Sequence, residues 1–170
     1  MSARNRPSGF TLLELLVTIA VLAIIATVGV PGFQQLLINS RLAAQNNELI
    51  AMLHFAKSEA IRRNATVEAE FTAGPLSWTG DVRLPPGSAP EDPPPACDAG
   101  VMRCAANIGV ALSSGNTTVS FDNRGYLAPV NGDWLDRVLC LQNENGTRER
   151  RIEITRTGQI ASEMAACGID

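Results

Sequence analysis

Gly9-Phe10-Thr11-Leu12-Leu13-Glu14-Leu15-Leu16-Val17 opens an apolar run that continues to Val30, and Pro31-Gly32 follow it. From Phe10 to Val30, 21 residues, Glu14 is the only ionisable side chain. As a helix this run spans roughly 32 Å, enough for the hydrocarbon core of a bilayer. A carboxylate this deep in a spanning helix costs several kcal/mol unless a cation meets it, so Glu14 reads as functional. The nine residues before the run carry Arg4 and Arg6 and no acid, which places them on the cytoplasmic side and the bulk of the chain outside. A secretory signal would carry its small-residue cleavage site after the apolar run; here the small residue, Gly9, precedes it.

Working outward, the pattern beyond Pro31 becomes amphipathic. Leu42, Leu49, Leu53, Ala56 and Ala60 recur at helical steps with Ile50 and Ile61 beside them, while Gln45, Asn46, Glu48, Lys57 and Glu59 fall mainly elsewhere. Lys57, Arg62 and Arg63 lie near the expected C-terminus, where cations suit the helix dipole. Pro31 can disturb this helix without ending it. After Asn64 the period becomes alternating. Strands are expected at Thr66–Phe71, Ser77–Leu84, Thr117–Phe121, Arg137–Gln142 and Arg151–Thr155, with a weaker one at Gln159–Ser162. Asn145-Gly146 signals a tight hairpin turn, and the proline-rich Pro85–Pro95 an irregular excursion. The expected class is α+β, with a long N-terminal helix packed on a β-sheet head. Its parts are a leader at 1–9, a transmembrane half-helix at 10–30, an amphipathic half at 31–63 and a head at 64–170.

The 170 residues carry a net charge of -3, and without residues 1–9 the balance is 12 basic against 17 acidic side chains. A mildly acidic body argues against nonspecific nucleic-acid binding as the main activity. The four cysteines, Cys97, Cys104, Cys140 and Cys167, contain no Cys-x-x-Cys pair and lie far from the single histidine, His54. Two disulfides in an oxidising compartment are therefore expected in place of a metal site. Of the three possible pairings, Cys97–Cys104 with Cys140–Cys167 is favoured because the first pair brackets a short loop.

Signals of catalysis are poor. Neither a Ser/His/Asp order nor a Cys/His pair in plausible context appears, and His54 reads as a solvated or partner-facing residue. No enzyme activity, metal or cofactor is expected. Asn131, Asp133, Asp136 and Asn143 lack calcium-loop spacing and read as turn and surface groups. The sequons at Asn64, Asn116 and Asn145 read the same way. Arg148, Arg150, Arg151 and Arg156 could meet phosphates, although Glu149 and Glu153 interrupt them, and the plainer reading is a solvated hairpin with cross-strand ion pairs.

Gly9-Phe10-Thr11-Leu12-Leu13-Glu14-Leu15 resembles the class III leader junction of type IV pilins and type II secretion pseudopilins. Asn39-Ser40-Arg41-Leu42, the block Ala56–Arg63, Trp78-Thr79-Gly80, Val119–Gly125 and Ile152–Gly158 resemble, in that order, the GspH/FimT family. The resemblance implies cleavage between Gly9 and Phe10 by a prepilin peptidase, N-methylation of Phe10, and pairing of Glu14 with an N-terminal amine during assembly. It further implies that Pro31 locally weakens the helix, as in many pilins of type IV pili. The expected protein is a minor pilin of an assembly-priming or tip complex. It would sit as a single-pass protein in the bacterial inner membrane with a periplasmic head before entering a pilus. Its partners would be other minor and major pilins and the inner-membrane assembly platform. A minor pseudopilin of a type II secretion system is the nearest alternative, and a DNA-binding pilin for transformation another. Some members of the family carry a Gly-Arg-x-Arg tail linked to DNA uptake; Gly158-Gln159-Ile160-Ala161 lacks both arginines.

Overall fold

A computed structural model describes residues 10–84, 97–98, 100–129 and 135–168. Two units make up the chain, Met1–Leu37 and Ile38–Asp170. Helix α1 (Leu12–Arg63) starts in the first and ends in the second, with Pro31 inside it. In the first unit the apolar side chains described are exposed, and the helix is long and apolar enough to cross a membrane.

The second unit adds eight strands in chain order: β1 (Val67–Gly74), β2 (Ser77–Arg83), β3 (Val101–Ile108), β4 (Val110–Leu112), β5 (Thr117–Phe121), β6 (Arg137–Asn143), β7 (Glu149–Ile154) and β8 (Ile160–Glu163). They form two antiparallel sheets, ordered β3-β2-β1-β5 and β4-β6-β7-β8. β1 shows why these residues form strands: Val67, Ala69 and Phe71 face the core while Glu68, Glu70 and Thr72 face water. Gly80 on β2 lies opposite Phe71, and a Cβ there would come within 2.9 Å of the ring, so glycine leaves the aromatic room. Phe71 in turn meets Trp78 edge to face at 6.1 Å.

One core joins α1 to both sheets. Leu42, Leu49, Met52, Leu53, Ala56 and Ala60 on the helix pack with Val67, Phe71, Trp78, Val119, Phe121, Leu139, Leu141, Ile152 and Ile154. Burying each large apolar side chain stabilises the fold by roughly 1.5–3 kcal/mol. The helix ends in a Schellman motif. Asn64 turns left-handed (φ 51), Ala65 N–H donates to the Ala60 carbonyl at 3.2 Å, and Asn64 N–H to that of Ile61 at 3.3 Å.

Three features differ from the sequence reading. β3 and β4 were not expected. Ile61, read with the core, is half exposed, whereas Gln45, Asn46 and Glu59 are buried because each finds a partner. Finally, β6 and β7 do form a hairpin, but its loop runs 144–148 and is organised by Asn143. The Asn143 carboxamide oxygen accepts the N–H groups of Thr147 and Arg148 at 2.9 and 3.2 Å, and its carbonyl accepts that of Gly146. The proline-rich excursion, Gly9, Asn131 and Asp133 lie outside the described residues.

Candidate assembly site

Thr11 opens α1 as its cap, its hydroxyl oxygen accepting the Glu14 N–H at 3.2 Å. This is half of a Thr-x-x-Glu capping box, and an acid in the first turn also suits the helix dipole. Phe10, just before the helix, is exposed. The Glu14 side chain is exposed, and among the described residues its carboxylate has no hydrogen-bond or ion-pair partner. No other ionisable residue occurs until Arg41. The remaining polar side chains of this apolar run are internally bonded: the Thr18 hydroxyl donates to the Leu15 carbonyl at 2.7 Å and that of Thr27 to Ile24 at 2.8 Å. Pro31 has no N–H, so the Thr27 carbonyl lacks the donor that a helix would otherwise supply four residues on.

In the second unit α1 is fixed by polar clamps as well as by packing. The Trp78 indole N–H donates to Gln45 Oε1 at 2.9 Å, and Gln45 Nε2 donates to the Ile108 carbonyl at 2.9 Å. Ser162 donates to the Asn46 carboxamide oxygen at 2.9 Å, and Lys57 Nζ to the Gly158 carbonyl at 2.8 Å. Arg103 lies over the Phe55 ring while donating to Glu48 at 3.0 Å. Gly158 has φ +72, and a Cβ there would fall 2.0 Å from the Gly125 carbonyl oxygen, so the β7–β8 turn seats against the 122–126 turn only because no side chain intervenes. None of these partners could be found by periodicity; the Thr-x-x-Glu spacing was the one local signal that sequence carried and the pattern reading missed.

Disulfides join Cys97 to Cys104 and Cys140 to Cys167, with Cα separations of 5.6 and 6.1 Å. The second bridge brings the C-terminal tail back to β6. There the Cys167 N–H donates to Glu149 on β7, and Met164, Ala165 and Ala166 border a shallow hollow with Arg148 and Glu149.

The structure does not gather the four arginines. Arg150 and Arg151 are consecutive on β7 and point to opposite faces. Arg148 and Arg156 flank opposite ends of the strand, and the Arg156 N–H is bound to Asp136. The only ion pair at this hairpin among the described residues runs along the strand, Arg151 to Glu153 at 3.9 Å, and not across it. His54 is exposed on α1. Asn64 bonds to Asn123, and Asn116 accepts the Ala73 N–H, so both serve as local structural groups. Among the described residues no cluster of His, Cys, Asp and Glu could hold a metal ion.

An N-terminal helix whose apolar first part bears one acid, and a head in which its later part is buried against antiparallel sheets, define the type IV pilin class of fold. The chain belongs to the GspH family, whose model, described as type II transport protein GspH, matches residues 45–158. The model of the prokaryotic N-terminal methylation motif matches residues 4–30. Two crystal structures of the type IV minor pilin FimU from Pseudomonas aeruginosa (strain PAO1) are similar. One, at 20% identity and a TM-score of 0.50, covers 69% of this chain and 88% of that one. The other, at 18% identity and 0.52, covers 74% and 90%. At these identities the likeness is one of fold. No curated protein matches by sequence. The chain is thus a membrane-anchored protein of the minor pilin and pseudopilin family, a family of structural subunits.

Proposed function

We propose that this chain is a minor pilin of a type IV pilus, cut between Gly9 and Phe10 by a prepilin peptidase, methylated at Phe10, and assembled with other pilins in the priming or tip complex. The observation that carries this reading is the Glu14 carboxylate, without a partner among the described residues, in an apolar run that is otherwise uncharged from Phe10 to Val30. A group that costs several kcal/mol in a membrane alone, and is neutralised only by a cation from another subunit, ties stability to assembly. The N-terminal amine of a second subunit, displaced by roughly 6 Å along the helix axis, would supply such a cation. The disulfides support a periplasmic head, because they persist in an oxidising compartment. Pro31 supports a pilus. A second reading, a minor pseudopilin of a type II secretion system, is favoured by the description of the matched family. No observation favours the DNA-capturing reading, since the four arginines are spread over both faces and both ends of β7.

Deletion in the native host, complemented with wild type or Glu14→Leu, tests the proposal. Wild type should restore surface pili and appear in sheared fibres. Glu14→Leu should insert normally, being more apolar, yet stay in the membrane. Loss of protein secretion with pili intact would transfer the assignment to the pseudopilus. Normal fibres containing Glu14→Leu would remove the role of Glu14.

A further inference from the structure

Only four polar side chains punctuate residues 10–33: Thr11, Glu14, Thr18 and Thr27. At 3.6 residues per turn the first three fall within an arc of about 60°, and Thr27 lies at least about 140° from each of them. Glu14 and Thr18, four residues apart, are neighbours on one face, separated by roughly 6 Å along the axis. Helical side chains lean toward the N-terminus, so Thr18 projects back over the turn that carries Glu14. Its hydrogen bond fixes that placement, with Oγ1 lying 2.7 Å from the Leu15 carbonyl oxygen.

That hydrogen bond also decides what Thr18 offers a ligand. A hydroxyl has one proton and two acceptor lone pairs. The Thr18 proton is committed to Leu15, so the oxygen faces a neighbour as an acceptor only. Thr11 differs, because its oxygen accepts the Glu14 N–H and its own proton stays available. One face of the helix therefore presents a carboxylate and an acceptor hydroxyl side by side, with aliphatic side chains around them.

We propose that Thr18 is the second ligand for the N-terminal amine of a neighbouring subunit, accepting one of its N–H groups while Glu14 accepts the other. This rests on the reading of Glu14 as the acid that meets that amine. A singly methylated, protonated amine carries two N–H donors, and the chain carries the methylation motif over residues 4–30. In an apolar layer a donor left unbonded is costly, so a carboxylate and a hydroxyl satisfy what the carboxylate alone leaves open. Thr27 makes the same bond to its own helix but lies on another face with no acid beside it, which makes it an internal control.

The test measures, in the native host, the ratio of subunit in sheared fibres to processed subunit in the membrane for wild type, Thr18→Val, Thr18→Ala, Thr18→Ser, Thr27→Val and Glu14→Leu. The ratio corrects for any change in expression or insertion. Thr18→Val and Thr18→Ala should each lower it by about tenfold, the scale of one hydrogen bond to a charged group. Thr18→Ser, which keeps the hydroxyl, should restore it, and Thr27→Val should match wild type. Wild-type ratios for Thr18→Val and Thr18→Ala beside a null Glu14→Leu would overturn the role of Thr18 and leave that of Glu14 standing. A defect in Thr18→Ser or Thr27→Val equal to that of Thr18→Val would assign Thr18 to packing and also overturn the proposal. A wild-type ratio for Glu14→Leu would remove both.

Discussion

Glu59 is buried near the C-terminal end of α1 and accepts hydrogen bonds from Arg62 Nε at 2.9 Å and Arg63 Nε at 2.8 Å. The Arg62 bond is the main cause that holds its carboxyl below the usual value of 4.5, against an opposing push from burial. A lowered folded value means the stabilisation is fully present above about pH 4.5 and is lost as pH falls through that lowered value. Full-length protein in detergent, unfolded by urea, should therefore show wild type more stable than Glu59→Gln at pH 7. The gap should close toward pH 3, and a gap that widened on acidification would contradict the pairing. Residues of this kind were the least legible in sequence. Gln45, Asn46 and Glu59 break the apolar stripe of α1 and read as surface groups, yet all are buried. For Gln45 and Asn46 the reason is a partner 33 or 116 residues away, which periodicity along one helix cannot register.

Elements were read better than residues wherever one face of a strand is buried and the other wet. β1, β2 and β7 announce themselves by that contrast, whereas β5 and β6, also expected, bury Val119, Ser120 and Phe121 and Leu139, Cys140 and Leu141 in succession. β3 shows no such contrast, because it is an edge strand whose later residues are all partly or fully exposed, so no alternation survives to be seen. β4 has only three residues, too few for a period. Another edge strand, β8, is held differently. It pairs only with β7, and the tail beyond it is bonded back to β6 through Cys140–Cys167 across a sequence separation of 27. By loop-closure entropy, that bridge should contribute about 3–4 kcal/mol and the shorter Cys97–Cys104 loop about 2–3 kcal/mol. Cys140→Ser should lower the urea midpoint of the full-length protein more than Cys97→Ser does. The reverse order would show that β8 is held by its hydrogen bonds without help from the strap.

On the scale of the whole molecule, charge separates a structural subunit from a nucleic-acid receptor. The net charge is -3, and β7 disperses the basic residues that the sequence brings within nine positions. A site built on phosphate contacts weakens steeply with salt, so the expected outcome is an absence of mobility shift with double-stranded DNA at physiological salt and low-micromolar protein. A shift that disappeared when Arg148, Arg150, Arg151 and Arg156 became alanine would reverse that expectation. The clamps along residues 38–63 of α1 have a mechanical meaning too. Gln45 on Trp78, Asn46 on Ser162 and Lys57 on Gly158 are staggered over about three turns of helix, with Leu49, Leu53 and Ala56 buried between them. Tension applied along the helix axis loads all of these contacts together, in shear, and none can be peeled away before the others. The head is thus fastened to residues 38–63 of its own helix at several levels along the axis, so that a lengthwise pull on that stretch is shared among them.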